Sequence, residues 1–214
     1  ESSQKSRFFR HDPCTKDCIG QWSLKNSVGF TNLDGIHMRY LQVTAQDRLR
    51  NGKADTVFLH FLEHPETGVA AILSNTAFAL DINGDGKVDY RMGDVTNNGR
   101  ENTVDERLLE SFANAYLKLN WFNRGAIWQR YLKIYAEDFY ADGTPDTVRL
   151  HLHEGGPAAD KRTLVSWHAA YDLDNDGKLE WNIHHDINQD GVIDRVDDRL
   201  VQRLAELFLK FHWK

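Results

Sequence analysis

The sequence predicts an α+β protein of two homologous repeats, each folded as an antiparallel four-stranded sheet followed by one C-terminal helix. Three observations support this class. The chain contains an internal duplication, each copy carries strand-like segments joined by hairpin signals, and each copy ends in an apolar pattern of helical period.

The duplication is visible within the single sequence. Residues 39–62 and 130–153 are identical at 11 of 24 positions, at a constant offset of 91. The same offset aligns DINGDGKVDY with DLDNDGKLEW, and after one extra residue DVTNNGRENTVDERLLESF aligns with DINQDGVIDRVDDRLVQRL. Self-similarity at a fixed period indicates repeated structural units. We therefore expect an N-terminal arm over 1–29, a first repeat over 30–122 and a second over 123–214.

Each repeat begins with a predicted hairpin. RYLQVTAQD and RYLKIYAED are strand-like, and TVFLHFLEH and TVRLHLHEG are the returning strands. Asn51-Gly52 and Asp142-Gly143 mark the turns between them. GVAAILSNTAFALD and RTLVSWHAAYDLD contain enough β-branched and aromatic residues for a third strand. KVDYRMGD and KLEWNIHHD predict a short fourth strand.

Each repeat ends in a predicted amphipathic helix. Apolar residues recur at spacings of three and four, which places them on one helical face. They are Leu108, Phe112, Ala115, Tyr116 and Leu119 in the first repeat, and Leu200, Leu204, Leu207, Phe208 and Phe211 in the second. We expect this face to cover one side of the sheet, and packing about a pseudo-twofold axis is one way to join the repeats.

Composition excludes some classes of function. The chain has 214 residues, 26 basic and 32 acidic side chains and a formal net charge of -6. A nucleic-acid-binding protein normally carries a basic face, so no nucleic-acid partner is expected. No apolar run approaches the roughly 18 residues of a membrane span. The polar start at Glu1 is compatible with a processed chain, and we expect a secreted or periplasmic location.

Four loops place acidic or amide residues at alternate positions around a glycine. Such carboxylates repel one another unless a cation lies among them. Ca²⁺ takes about six to eight oxygens, from side chains at loop positions 1, 3, 5, 9 and 12 and from the carbonyl of position 7. The 186 loop (186–197) offers the full set, namely Asp186, Asn188, Asp190, the Val192 carbonyl, Asp194 and Asp197.

The other three loops are less complete. The 94 loop (94–105) offers Asp94, Thr96, Asn98, the Arg100 carbonyl, Asn102 and Asp105. The 81 loop (81–92) offers Asp81, Asn83, Asp85, the Lys87 carbonyl and Asp89. The 172 loop (172–183) offers Asp172, Asp174, Asp176, the Lys178 carbonyl and Glu180. Position 12 of these last two loops is Met92 or Ile183, so water or a neighbouring residue (Asp94, His184 or His185) would have to complete the shell. Two to four Ca²⁺ ions are expected in total.

These motifs resemble known calcium loops. The 186 loop runs directly into a predicted helix and resembles the loop–helix half of dockerin and EF-hand proteins. The 81 and 172 loops lie between strands and resemble the DxDxDG loops of integrin-type propellers and thrombospondin type-3 repeats. The resemblance covers about 50 of the 214 residues. It implies calcium binding and carries no activity with it.

Other interpretations of these loops remain open. Asp194 and Asp197 also suit a helix N-cap and an acidic first turn, as do Asn102 and Asp105. Asn-Gly and Asp-Gly are ordinary turn dipeptides.

Two further aspartate pairs have a spacing of positions 1 and 9. They are Asp47 with Asp55 and Asp138 with Asp146. Their position 3 is leucine or tyrosine, which offers no ligand, so we predict plain hairpins at both places.

The two cysteines, Cys14 and Cys18, lie in HDPCTKDCIG. In an oxidising compartment they would form a disulfide that fixes the N-terminal arm. Free thiols are an alternative, and a zinc site with His11 lacks an evident fourth ligand.

Histidines and the aromatic ends of the two predicted helices are further candidates for functional sites. His60 and His151 occupy equivalent positions, and His153 shares a strand face with His151. Spacing fixes no third metal ligand, so we favour a solvated sheet face there. His184 and His185 adjoin the 186 loop and are expected to orient its carboxylates. The ends LNWF and FHWK are expected to dock into the core, with a partner-binding patch as the alternative.

The sequence favours a binding protein over an enzyme. No nucleophile, zinc-protease, P-loop or dinucleotide motif appears, so catalytic residues are unknown. We expect a secreted calcium-binding protein with structural ions that acts as a surface or matrix binding module for a protein or glycan. A secreted hydrolase with structural calcium is the first alternative. A calcium sensor or buffer is the second, although loops joined to strands favour rigidity.

Overall fold

The computed structural model describes residues 38–65, 70–125, 129–155 and 162–214. The predicted N-terminal arm, with Cys14, Cys18 and His11, lies outside the described residues.

The described chain contains nine strands and two helices. In order they are β1 (Met38–Asp47), β2 (Thr56–His64), β3 (Ile72–Leu80), β4 (Tyr90–Met92), α1 (Thr103–Tyr116), β5 (Asn123–Arg124), β6 (Arg130–Glu137), β7 (Thr147–Glu154), β8 (Leu164–Tyr171), β9 (Trp181–Asn182) and α2 (Arg195–Lys210). The predicted α+β class is confirmed. The short strand β5 was not predicted, because two residues carry no periodic signal.

All nine strands belong to one sheet. Its order is β4-β3-β2-β1-β6-β7-β8-β9, and β5 pairs in parallel with β1. The neighbours along that path are antiparallel. Strands β1–β4 and β6–β9 therefore form two adjacent blocks of a single sheet. The sequence predicted one four-stranded sheet for each repeat, and the division into two repeated units stays a prediction.

The pairing of β1 with β6 joins the two blocks. Leu41 lies opposite Ile134, Gln42 opposite Lys133 and Val43 opposite Leu132. Gln42 and Lys133 are 133 − 42 = 91 residues apart, which is the offset at which the two similar stretches of the sequence align. One pair of aligned residues thus lies opposite each other at the centre of the sheet.

One face of the sheet packs against both helices. A single core contains apolar side chains from the strands and from each helix, and its fully buried members include Leu41, Leu59, Phe112, Leu132, Leu150, Leu204 and Phe208. The expectation that the apolar helical faces cover one side of the sheet is confirmed. Burial of such side chains provides the main stabilisation of the fold.

The aromatic segments that follow the two helices pack into this core, as predicted. Trp121 and Trp213 are both buried. The Trp121 indole N–H donates to the Tyr131 carbonyl at 3.1 Å, and the Trp213 indole N–H donates to the Tyr40 carbonyl at 3.1 Å. Neither helix in the described ranges combines the length and apolar character that crossing a membrane would require.

Gly93, which follows β4, lies close to the neighbouring strand β3. Its φ is +135°, and an added Cβ would lie 2.5 Å from the Cβ of Ala77 on β3. We expect Gly93→Ala to lower the free energy of unfolding by about 2–4 kcal/mol, because overpacking adds to a strained backbone. Urea denaturation measures this loss.

Gly52→Ala is the matched control. Its φ is +85°, but an added Cβ would meet nothing within 4 Å. It should cost only the backbone strain, about 1–2 kcal/mol. Equal losses for the two variants would contradict the close approach of Gly93 to β3.

Candidate metal centre

Four acidic side chains of the 172 loop converge. Asp172, Asp174, Asp176 and Glu180 each offer a carboxylate oxygen, and these atoms all lie within 4.8 Å of one another. Asp172 is 4% exposed at the end of β8, and the other three are exposed. The described residues contain one group of three or more acidic, histidine or cysteine side chains that lie this close together, and this is it. Four carboxylates this close repel one another, and the group could hold a metal ion that offsets the repulsion.

The backbone of the 172 loop folds around Asp172. One carboxylate oxygen accepts from the Asp176 N–H at 3.1 Å, and the other accepts from the Gly177 N–H at 2.7 Å. Asn175 and Gly177 have φ values of +58° and +87°. These left-handed residues turn the chain tightly, so that side chains two apart point to the same centre.

A lysine ammonium already contacts the cluster. Lys178 Nζ lies 2.6 Å from Asp176 Oδ2, and both side chains are exposed. This hydrogen bond raises the pKa of Lys178 and lowers the pKa of Asp176. A metal ion bound by Asp176 would compete with the ammonium for the same oxygen.

The backbone of the 81 loop forms the same turn as that of the 172 loop, but its carboxylates do not converge in the same way. Asp81 accepts from the Asp85 and Gly86 N–H groups at 3.2 and 2.7 Å. Asp89 accepts from the Ile82 N–H at 2.8 Å. Asp81, Asp85 and Asp89 do not form a group within the 4.8 Å spacing found in the 172 loop. The prediction of an ion here stays a prediction.

The 94 and 186 loops begin the two helices. Asn102 and Asp194 are the N-caps of α1 and α2, and their side chains accept from the Val104 and Val196 N–H groups at 2.8 and 2.6 Å. The Asp105 and Asp197 carboxylates in turn accept from the N–H groups of Asn102 and Asp194 at 3.0 and 2.9 Å. The alternative interpretation of these four residues as helix caps is therefore confirmed.

The capping aspartates also bind the start of their own loops. Burial disfavours the charged form of Asp105, but hydrogen bonds from Thr96 and Asn102 outweigh it and lower the pKa of Asp105. In the 186 loop, Asp197 Oδ1 accepts from the Ile187 and Asn188 N–H groups at 3.1 and 3.3 Å. A carboxylate has about four acceptor sites, so capping leaves capacity for a metal ion.

The two predicted hairpins adopt the same turn as the four candidate loops. Asp47 accepts from the Asn51 and Gly52 N–H groups at 3.0 and 2.9 Å, and Asp138 accepts from the Asp142 and Gly143 N–H groups at 3.2 and 2.8 Å. The turn therefore forms even where position 3 has no oxygen. The aspartate-anchored backbone is not a metal signature by itself, and only the convergence of carboxylates in the 172 loop distinguishes a metal site.

The hairpin at 138–146 forms hydrogen bonds with the 172 loop, which contains the acidic cluster. The Asn175 amide donates to Asp142 Oδ2 at 2.5 Å. Hydrogen bonds from Thr144 and Asn175 lower the pKa of Asp142 to about 2. The Asp172 N–H donates to the Asp146 carbonyl at 2.8 Å. The sequence does not reveal the contacts of Asn175 with Asp142 or of Asp172 with Asp146, because these residues are 33 and 26 (172 − 146) positions apart.

The predicted solvated face around His151 and His153 is wrong. His151 is 3% exposed and His153 is 1% exposed. His153 stacks on Tyr131 at 5.0 Å, and His151 meets the edge of Tyr135 at 5.3 Å. The tyrosine rings on β6 provide apolar contacts that an alternating sequence pattern does not reveal.

His184 and His185 form hydrogen bonds to residues other than the predicted calcium ligands. His184 Nδ1 lies 2.6 Å from Asp198 Oδ1 on α2, and His185 Nδ1 lies 3.1 Å from the Trp167 carbonyl. The His185 ring also lies 5.9 Å from that of His168. Sequence analysis did not single out His168, which faces the helices and is 0% exposed.

Comparisons with known proteins return no relative. No protein-family model matches the chain, and neither the curated proteins nor the solved structures include a significant match. Functional inference therefore depends on the geometry of the site.

The buried histidines predict a pH dependence of stability. Burial lowers the pKa of both His151 and His168 to about 3, from 6.5 in the unfolded chain. As the pH falls, the unfolded state binds protons first, so stability is complete above pH 6.5 and decreases towards pH 3. We expect a loss of about 1.4 kcal/mol per pH unit for each histidine.

His168→Ala isolates one of these groups, since the equivalent residue on β3 is Ala77 (168 − 77 = 91). The variant should reduce the pH slope of the free energy of unfolding by about one proton between pH 6.5 and about 5. Urea unfolding at a series of pH values provides the measurement. A slope equal to that of the unmodified protein would contradict a neutral buried His168.

Proposed function

We propose that this protein is a secreted or periplasmic calcium-binding protein whose ions are structural, and that it acts as a surface or matrix binding module for a protein or glycan. The observation that carries the calcium assignment is the convergence of Asp172, Asp174, Asp176 and Glu180. The absence of any catalytic motif in the sequence supports the binding role.

Calcium suits this donor set better than other metals. All four side chains are carboxylates, and hard oxygen ligands favour Ca²⁺, Mg²⁺ or Mn²⁺ over the metals that prefer nitrogen or sulfur. Mg²⁺ demands near-ideal octahedral geometry, whereas Ca²⁺ accepts the irregular shell of a mostly exposed loop. An exposed site binds weakly, and millimolar calcium outside the cell fills weak sites.

We propose two to four bound ions in total. The 172 loop is the best supported site, and the 81 loop is its sequence equivalent. The 94 and 186 loops would add an ion at the start of each helix, with the lower affinity at 94 because only Asp94 and Asp105 are charged there.

We further propose that the two blocks of the sheet are homologous units related by a pseudo-twofold axis. The pairing of Gln42 with Lys133 supports this relation, because both residues occupy the same position in the duplication. Each unit would then carry its loops at the ends of its own strands.

The site chemistry favours a binding module over the two alternatives. An acid-pair hydrolase needs two carboxylates across a cleft. Among the described residues that line the cleft at the start of β6, Glu154 is the single carboxylate, and it forms an ion pair with Arg130 at 3.0 Å. A calcium sensor opens an apolar groove between helices, whereas the acidic cluster here is connected to strands β8 and β9.

Chelation tests the structural role of calcium. Removing calcium should lower the melting temperature, because an ion that binds only the folded state at 100-fold its Kd contributes about 2.7 kcal/mol per site. For a chain of this size that corresponds to a shift of about 5–10 °C. An unchanged melting temperature after chelation would contradict the proposal.

Asp172→Asn should remove most of the calcium-dependent increase in melting temperature that belongs to this loop. Asp138→Asn is the matched control, because it alters the same two backbone hydrogen bonds in a turn without an acidic cluster. The control should lower the melting temperature equally with and without calcium. Equal calcium responses in the two variants would show that the 172 loop binds no structural ion.

Lys178→Met should increase calcium affinity by about two- to fivefold, because it removes an exposed cation that competes for Asp176 Oδ2. Lys87→Met in the equivalent loop is the control for a general change in net charge. Calcium titration followed by calorimetry measures both. A reduced affinity in Lys178→Met would show that the ammonium does not compete with the ion.

A further inference from the structure

A cleft of about 520 Å³ lies where the two blocks of the sheet meet. Its lining includes Asn120, Phe122, Arg124, Gln129, Arg130 and Glu154. These residues come from the connection after α1, from β5, and from the paired ends of β6 and β7. The volume falls within the roughly 300–1,000 Å³ of small-molecule sites.

The Asn123 side chain uses its full hydrogen-bonding capacity and makes one wall of the cleft rigid. The buried Asn123 side chain donates to the Ala45 and Arg130 carbonyls at 3.2 and 2.8 Å. Its oxygen accepts from the Gln129 and Arg130 N–H groups, both at 2.8 Å. Asn123 thus fixes the start of β6 against β1 and leaves no capacity of its own for a ligand.

Two arginines are oriented by aromatic rings. The Arg130 guanidinium lies 4.8 Å from the centre of the Trp121 ring, and its Nε donates to Glu154 Oε1 at 3.0 Å. The Arg124 guanidinium lies 5.7 Å from the centre of the Phe122 ring. Within the described residues Arg124 has no carboxylate partner. Stacking restricts each side chain before a ligand binds and reduces the entropy cost of binding.

Several polar groups of the cleft remain available. The side chains of Asn120 and Gln129 make no hydrogen bond within the described ranges of the chain, and each offers both donors and an acceptor. Arg130 keeps its terminal amino groups, and Glu154 keeps its second oxygen. Counted over the described lining residues, two guanidinium groups and one carboxylate give the cleft a charge of +1 on a chain of net charge -6.

From this set we propose that the cleft binds an acidic saccharide, that is, a sugar carrying a carboxylate. The Arg124 guanidinium binds the sugar carboxylate in the bidentate geometry that such pairs favour. The amides of Asn120 and Gln129 and the free oxygen of Glu154 bind hydroxyl groups, which both donate and accept. The inference rests on the proposed binding-module function and specifies its partner and its site.

The test compares two disaccharides that differ only in the acid group. Cellobiouronic acid and cellobiose are titrated into the full chain by calorimetry at saturating calcium, with sodium sulfate as a plain anion. We expect cellobiouronic acid to bind about tenfold or more tightly than cellobiose, because only the acid engages the arginine fork. Sulfate should bind more weakly than the acidic sugar, since it lacks the hydroxyl contacts.

Variants locate the binding in the cleft. Arg124→Ala should weaken binding of the acidic sugar about tenfold, and Arg124→Lys should restore part of it because the charge remains without the fork. Arg107→Ala, an exposed arginine on α1, is the control and should bind as the unmodified protein does. Equal affinity for the two disaccharides, sulfate binding as tight as that of the acid, or full affinity in Arg124→Ala would each overturn the proposal.

The melting temperature of the same samples, with and without calcium, separates the two proposals. A protein that responds to calcium but binds no saccharide overturns the cleft assignment alone. Loss of the calcium response would instead contradict the proposed function.

Discussion

The ends of the strands and the starts of the helices depend on the hydrogen bonds that the aspartate at the first position of each loop accepts. In six loops this aspartate accepts hydrogen bonds from the N–H groups of the fifth and sixth residues. The fourth and sixth residues are left-handed in every case. In the 172 loop, the acidic side chains at alternate positions of this turn are also close neighbours. Their repulsion is the cost that a bound cation would offset.

The loops are connected to the core as well as to one another. Asn97 of the 94 loop donates to the Phe211 carbonyl after α2 at 3.5 Å. Asn188 of the 186 loop accepts from the Asn120 N–H after α1 at 2.9 Å. Each loop that begins one helix therefore contacts the chain that follows the other helix. Ordering of these loops and packing of the two helices on the sheet are consequently linked.

Sequence patterns predicted the strands of both blocks and the buried faces of both helices, because the periods of 2 and 3.6 follow from burial on one side. They did not predict the single sheet, since the pairing of β1 with β6 depends on which strand edges meet. They also indicated the 186 loop as the most complete site. Among the described residues the structure brings carboxylates together in the 172 loop, and calcium binding at the 186 loop, where Asp194 and Asp197 also cap α2, stays a prediction. Nor does a histidine in a strand reveal whether it is buried, as His168 shows.

Anomalous diffraction from crystals grown with calcium would show whether an ion occupies the 172 loop. We expect a calcium peak among the oxygens of Asp172, Asp174, Asp176 and Glu180, at about 2.3–2.6 Å from its ligands. The Lys178 ammonium should then have moved away from Asp176. No peak at this position in saturating calcium, with Lys178 still on Asp176, would show that the acidic cluster binds no calcium ion.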